Sequence, residues 1–177
     1  GNPSRTERMQ RGCEACHGPG EAHVSAGGGS AGSADWLTFE AATPDDVARE
    51  NASCLGCHAG GKLLYWDGSP HENRGNACTS CHDTHEKISG DHQLAFATQA
   101  AVCSQCHLQP RAGAWRSAHH PTREGPASGT SDVGREGAMD CGSCHNPHGT
   151  VTEGLIPATS LNDQCYACHA DKRGPWL

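Results

Sequence analysis

Six copies of one short motif account for all the cysteine in this 177-residue chain. Each copy has two cysteines separated by two residues, with a histidine directly after the second cysteine. In C-x-x-C-H the two thiols can form thioethers with haem vinyl groups, and the histidine then binds the iron as proximal ligand. We number the motifs and their haems 1 to 6 in chain order. The candidate attachment cysteines are Cys13, Cys16, Cys54, Cys57, Cys78, Cys81, Cys103, Cys106, Cys141, Cys144, Cys165 and Cys168, and the candidate proximal histidines are His17, His58, His82, His107, His145 and His169.

Two other uses of paired cysteines fit this pattern less well. A disulfide framework also needs an even number of cysteines, but it gives no reason for a histidine after every second one. Zinc ribbons contain C-x-x-C pairs, but a fixed following histidine is not their pattern. The sequence therefore predicts six covalently bound haem c groups, with iron as the metal.

The composition is too poor in apolar side chains for an ordinary core. Only 34% of the residues are hydrophobic and 5% are aromatic, whereas a domain of this length normally buries many large apolar side chains. Six haems would leave roughly 30 residues for each, so that haem faces supply the apolar surface whose burial drives folding. We therefore predict a mostly irregular fold with short α-helices, little or no β structure, and a core made of haem.

Local signals place two of these helices. Thr43 is a candidate N-cap, Pro44 suits the first helical position and two aspartates follow, so a helix is predicted from there toward Cys54. A second helix is predicted from Leu94 to Val102, entering motif 4. Residues 25–33 and 121–137 are predicted loops because of their composition.

Seven histidines remain after the proximal set is removed, and six irons need six distal ligands. The sequence therefore predicts histidine on both sides of every iron. His119 is a weaker candidate for this role than its neighbour His120. His92 is either the ligand of haem 1 or a solvated side chain. The candidate distal ligands are His23, His71, His85, His120 and His148, with His92 as the uncertain sixth.

A longer repeat contains the motifs. The unit is C-x-x-C-H, seven residues, Trp, four residues, His, a variable loop and C-x-x-C-H-x-x-H, and it occurs twice, with Trp66 and Trp115 at the tryptophan position. The repeat predicts one hexahaem domain with haem pair 2–3 in residues 36–92 and pair 4–5 in residues 93–150. Half-units for haem 1 and haem 6 occupy residues 1–35 and 151–177.

The repeat also suggests which histidine serves which iron. A histidine three residues after a proximal one cannot reach the far face of the same haem, so we predict His85 on haem 2 and His148 on haem 4. By elimination His71 serves haem 3 and His120 serves haem 5. Haem 6 would take His23 of a neighbouring subunit, a head-to-tail contact that generates a filament.

Five segments carry a family resemblance: CEACHGPGEAH at 13–23, GSPH followed by CTSCHDTH at 68–85, SAHHPTREG at 117–125, CGSCHNPHGT at 141–150 and CYACHADKRGP at 165–175. They resemble the periplasmic decahaem c-type cytochromes that serve dimethyl sulfoxide reductase and outer-membrane electron conduits. The resemblance implies bis-histidine haems in a continuous chain that moves electrons. The few residues per haem are also similar to extracellular multihaem cytochrome nanowires.

The predicted function is electron transfer rather than catalysis, in an extracellular filament or as a periplasmic shuttle or conduit component. A multihaem reductase with an open site at haem 6, near Lys172, is the alternative. The net charge of -7 argues against nucleic acid as a partner. The sequence contains no run of 18 or more apolar residues, so no membrane-spanning helix is predicted. Thioether attachment predicts a periplasmic or extracellular protein whose signal peptide has been removed. Its partners would be redox proteins or extracellular acceptors.

Overall fold

The computed structural model describes residues 11–28, 36–90, 92–113 and 139–174. In these ranges the chain is mostly loop, and a single antiparallel bridge between His82 and Leu94 is the β structure found there. The predicted fold class is therefore confirmed. The α-helices are α1 (Glu14–His17), α2 (Glu21–Ser25), α3 (Pro44–Leu55), α4 (Gln99–Cys103), α5 (Leu108–Gly113) and α6 (Leu161–Tyr166). Short 3₁₀ turns cover Gly61–Leu63, Glu72–Arg74, Cys78–Ser80, Cys141–Ser143, Glu153–Leu155 and Ala170–Lys172.

The chain divides into two compact units. Unit 1 consists of Gly1–Gly61 and Gly75–Cys78, and unit 2 consists of Lys62–Arg74 and Thr79–Leu177. Unit 1 therefore carries motifs 1 and 2 and the first cysteine of motif 3. Unit 2 carries the rest of motif 3 and motifs 4 to 6.

Helix α3 is the longest described helix and begins as predicted. The Thr43 hydroxyl accepts a hydrogen bond from the Asp46 amide at 3.2 Å, and the Asp46 carboxylate accepts one from the Thr43 amide at 3.1 Å. This reciprocal capping box satisfies two amides that have no partner within the helix. The hydrogen bond from the Thr43 side chain also holds the pKa of Asp46 below its usual value. The helix delivers Cys54, the first cysteine of motif 2, at its C-terminal end.

Replacing Thr43 with Ala is expected to weaken the start of α3. Loss of an N-cap hydroxyl typically costs about 1 kcal/mol of folding free energy. Denaturant unfolding of the haem-loaded protein, followed by far-UV circular dichroism, measures this change. Thr43→Ser keeps the hydroxyl and serves as the control, and equal stability of the two variants would contradict the role of the cap.

Helix α4 is shorter than predicted. It begins at Gln99 because Thr98 has extended backbone angles and its hydroxyl accepts a hydrogen bond from the Ala101 amide at 3.1 Å. Leu94, predicted as helical, instead forms the bridge to His82 and donates its amide to the Ser89 hydroxyl at 2.8 Å. A threonine cap inside the apolar run therefore overrides its helical periodicity. Residues 121–137 lie outside the described ranges, as do residues 29–33 of the other predicted loop.

The apolar core is small in both units. Among the described residues, Ala77 in unit 1 and Trp66, Leu94 and Val102 in unit 2 are the buried apolar side chains. Several large apolar side chains are exposed instead, among them Val24, Leu64, Leu108, Val151 and Leu161. This protein surface fits a fold whose missing apolar partner is the haem face.

Candidate haem-binding sites

The motifs share a tight turn that collects their reactive groups. In motifs 1, 2, 4, 5 and 6 the histidine amide donates to the carbonyl oxygen of the first cysteine, as in His17 to Cys13 at 3.0 Å and His58 to Cys54 at 2.9 Å. Residues at i, i+3 and i+4 lie on one face of a helical turn. Both thiols and the imidazole of a motif are therefore presented on the same side. None of the twelve cysteines is in a disulfide.

Consecutive motifs lie close together within each unit. In unit 1 a hydrogen bond with Cys78 lowers the pKa of the Cys54 thiol to about 7. In unit 2 a hydrogen bond with Cys141, together with burial, raises the pKa of the Cys103 thiol. These contacts join the first cysteines of motifs 2 and 3 and of motifs 4 and 5. Burial and the thiols of motif 6 likewise raise the pKa of Cys144.

Three proximal histidines are oriented by backbone carbonyl groups. The Nδ1 atom lies 2.7 Å from the Leu37 oxygen in His17, 2.8 Å from the His92 oxygen in His82, and 2.7 Å from the Gly154 oxygen in His145. A carbonyl oxygen can only accept, so Nδ1 carries a proton, and in the neutral form of such a ring Nε2 is the atom with the lone pair. Histidines that bind metals are usually held in this way. Motifs 1, 3 and 5 therefore fit a haem iron.

Two of the three accepting carbonyls belong to residues with an unusual backbone conformation. His92 and Gly154 have positive φ values of 57° and 73°, which lie in the left-handed region. The main chain of His92 therefore orients the histidine of motif 3, a role that was not predicted from the sequence. The signal available in the sequence was weak: a glycine nine residues after His145 stands almost where His92 stands after His82. The predicted ligation by the His92 ring stays a prediction.

Two imidazole pairs in unit 2 have the separation of axial ligands. The ring centroids of His82 and His148 are 6.0 Å apart, with the planes 13° from parallel. The centroids of His71 and His107 are also 6.0 Å apart, with the planes at 87°. Two imidazoles on opposite sides of one metal ion have centroids about 6 Å apart, since each metal–nitrogen bond is about 2 Å. Each pair joins one motif histidine to one candidate distal histidine.

The surroundings of the two candidate distal histidines suit ligand binding in different ways. Burial, followed by the neighbouring His82, lowers the pKa of His148 to about 4, so its ring is neutral near pH 7. Its Nδ1 is buried with no hydrogen-bond partner in the described part of the chain. The Nδ1–H group of His71 donates to the Pro147 oxygen at 2.7 Å, which orients the ring. These residues therefore fit bis-histidine haems.

This pairing differs from the one predicted. The repeat predicts His71 on haem 3 and His148 on haem 4, whereas the structure brings the His148 ring close to His82 of motif 3 and the His71 ring close to His107 of motif 4. The reason is that the segments carrying the two distal ligands are bound to each other and cross between the motifs. Order along the chain does not reveal that crossing.

We call residues 62–71 together with residues 146–149 the clasp. The side-chain Nδ2 atom of Asn146 donates a hydrogen bond to the backbone oxygen of Lys62 at 2.8 Å. The ring centroids of Trp66 and His148 are 6.3 Å apart. Gly149 is buried with φ of 111°, and a Cβ atom there would collide with the Tyr65 carbonyl oxygen. The clasp thus carries both candidate distal histidines of the two ring pairs.

In unit 1 a tryptophan contacts both candidate ligands near motif 1. The Trp36 ring is stacked on His17 at 5.0 Å and on His23 at 4.5 Å between centroids, with interplanar angles of 19° and 6°. The Nδ1 atom of His23 is buried and has no partner among the described residues. The sequence analysis missed Trp36 because it lies outside the repeated unit.

The ligand roles predicted for the remaining candidates stay predictions. His85 is exposed, and its amide donates to the Asp83 carboxylate at 2.8 Å. His58 and His169 are exposed, and His119 and His120 lie outside the described ranges. Lys172, named for the reductase alternative, has its ammonium 2.6 Å from the Asp171 carboxylate.

Comparison with known proteins agrees with this chemistry. Residues 71–112 and 134–174 match the doubled CXXCH motif family. Multiheme cytochrome MtrA of Shewanella baltica (strain OS185) is 35% identical over 165 residues, which cover 93% of this chain and 44% of that protein. The chain is a multihaem c-type cytochrome. It resembles the decahaem cytochromes of electron conduits, and it spans less than half the length of this relative.

The first matched segment of the family contains motifs 3 and 4, and the second contains motifs 5 and 6. This register is shifted by one motif from the predicted pairs 2–3 and 4–5, and it begins at His71, the first ligand of the clasp. No helix in the described part of this cytochrome has the length and apolar character needed to span a membrane.

Proposed function

We propose that this cytochrome transfers electrons through six haem c groups whose irons are bound by histidine on both sides. When bound, each haem supplies an iron that changes between the ferric and ferrous states. The observation that carries the proposal is the pair of imidazole separations of 6.0 Å at His82–His148 and His71–His107. Histidine in both axial positions leaves no coordination site for a substrate. The chain is therefore an electron carrier rather than an enzyme.

The hydrogen bonds of the proximal histidines favour low reduction potentials of the haems. The carbonyl groups of Leu37, His92 and Gly154 each accept Nδ1–H from a proximal histidine. Such a bond makes the imidazole more basic and fixes its orientation, which favours the ferric state. We expect haems 1, 3 and 5 to be stabilised in the oxidised form for this reason.

We place the protein on the periplasmic side of an electron conduit, where it exchanges electrons with redox partner proteins. The similarity to a longer multiheme cytochrome supports this choice. The filament joined by His23 on haem 6 of a neighbour, with an extracellular location, is the second arrangement. Size-exclusion chromatography and negative-stain microscopy of the haem-loaded protein distinguish the two, since only the filament grows with concentration.

Haem attachment and ligation can be counted directly. We expect the intact mass to exceed that of the chain by six haems, roughly 3.7 kDa, with no thiol left to react with an alkylating reagent. We also expect the oxidised protein to be low-spin at neutral pH. A free thiol would contradict complete attachment, and a high-spin fraction in the unmodified protein would favour the reductase with an open site.

A further inference from the structure

The distal ligands of two different haems are bound to each other through the clasp. His71 donates Nδ1–H to the carbonyl oxygen of Pro147, the residue directly before His148. Any displacement of residues 146–149 therefore changes the position of His148 and also removes the hydrogen bond that orients His71. This inference rests on the proposed bis-histidine ligation of haems 3 and 4.

One side chain connects the two segments at this point. The Nδ2 atom of Asn146 donates to the Lys62 oxygen and to the Gly149 oxygen, both at 2.8 Å. Its Oδ1 atom accepts a hydrogen bond from the His148 amide at 3.2 Å. The amide of Asn146 thus makes a long-range contact and a local turn at the same time.

Motif 3 provides a natural comparison. In the sequence C-x-x-C-H-x-x-H, Asp83 occupies the position of Asn146, and its Oδ1 accepts hydrogen bonds from the amides of His85 at 2.8 Å and Glu86 at 2.9 Å. An aspartate is therefore sufficient for the local turn. The bond to Lys62 needs a donor, which only the asparagine amide supplies.

We propose that Asn146 is a positioning residue that holds His71 and His148 in one clasp, so that a displacement of the two backbone segments affects the distal ligands of haems 3 and 4 together. The side chain touches neither iron, and it acts through the two segments that carry the ligands. Trp66 and Gly149 complete the clasp by packing against the His148 ring and the Tyr65 backbone. The two distal ligands are thus one mechanical unit rather than two independent ones.

The two haems should be distinguishable by electron paramagnetic resonance. When the two imidazole planes are 13° apart, both rings donate into the same iron d orbital. Its energy then differs from that of the d orbital that would otherwise be equal to it, which gives a rhombic low-spin signal. Planes at 87° donate into both orbitals equally, which gives a signal with one large g value. The His82–His148 pair predicts the first signal and the His71–His107 pair predicts the second.

The test compares Asn146→Asp with Asn146→Ala in the haem-loaded 177-residue protein. Asn146→Asp keeps the acceptor for the His148 amide but loses the donor to Lys62, and Asn146→Ala loses both. We therefore expect each variant to lower the rhombic and the large-g signals together. Asp83→Ala removes only a local turn and should leave both signals unchanged. If either asparagine variant does not mature fully, we expect peptide mapping to show haem lost from motifs 3 and 4 together.

Two results would overturn the clasp. Unchanged signals in Asn146→Asp would show that only the local turn matters, and loss of the rhombic signal alone would show that Asn146 serves His148 without His71. The wild-type protein tests the proposed function separately, because its haem count and low-spin spectrum do not depend on Asn146. A six-haem, low-spin wild type with an unaffected Asn146→Asp variant would reject the clasp and retain electron transfer.

Discussion

Replacing His148 with Ala is expected to convert one haem in six to a high-spin form and to remove the rhombic low-spin signal. The reason is that His148 faces His82 at 6.0 Å with nearly parallel rings, so its loss opens the sixth position of haem 3. Electron paramagnetic resonance of the oxidised protein measures both changes. Added imidazole should restore the low-spin state, since the space left by the side chain accepts a free ligand.

His71→Ala is the matched variant. It should remove the large-g signal of the perpendicular pair and leave the rhombic signal in place. The opposite outcome, in which His148→Ala removes the large-g signal, would return His148 to haem 4, as the repeat in the sequence predicted. Neither variant should reduce the number of attached haems, because the thioethers come from the motif cysteines.

Gly149→Ala should be the most destabilising glycine-to-alanine exchange among the described glycines of unit 2. Its φ of 111° is rarely adopted by L-residues, and the added Cβ would collide with the backbone oxygen of Tyr65. Backbone strain and steric overlap together are expected to lower the free energy of unfolding by about 2–4 kcal/mol. Denaturant unfolding of the haem-loaded protein, followed by circular dichroism, provides the measurement.

Gly68→Ala is the control for this experiment. Gly68 also has a positive φ, 77°, but a Cβ there would meet no atom within 4 Å. The Gly68→Ala exchange should therefore lower the free energy of unfolding only through the strain of the positive φ, by about 1–2 kcal/mol. Equal losses in the two variants would show that the approach of Gly149 to Tyr65 does not restrict the clasp.

The attachment sites and the general fold could be read from the sequence because their signals are local. C-x-x-C-H places its reactive groups on one turn whatever surrounds it, and Thr43 with Asp46 forms a cap from neighbouring residues. The ligand pairing was a different problem. His82 and His148 are 66 residues apart, and His71 and His107 are 36 apart, so only the tertiary path decides which rings meet.

The contributions of backbone groups were hidden for a related reason. The carbonyls of Pro147 and His92 act through their position, and the amino-acid type does not identify a carbonyl that accepts a hydrogen bond. Asn146 could have been noticed, because the residue after the proximal histidine is Asp in motif 3 and Asn in motif 5. Its long-range bond to Lys62 still required the structure.

The crossing of the clasp has a consequence for the order in which the protein is completed during export. In the proposed pairing, a chain that emerges from its N-terminus presents His71 before motif 4, so the second histidine for haem 4 is already present when that motif appears. The second histidine for haem 3 follows only with residue 148, after motifs 4 and 5. Motif 3 would therefore be the later of the two to gain both of its proposed histidine ligands.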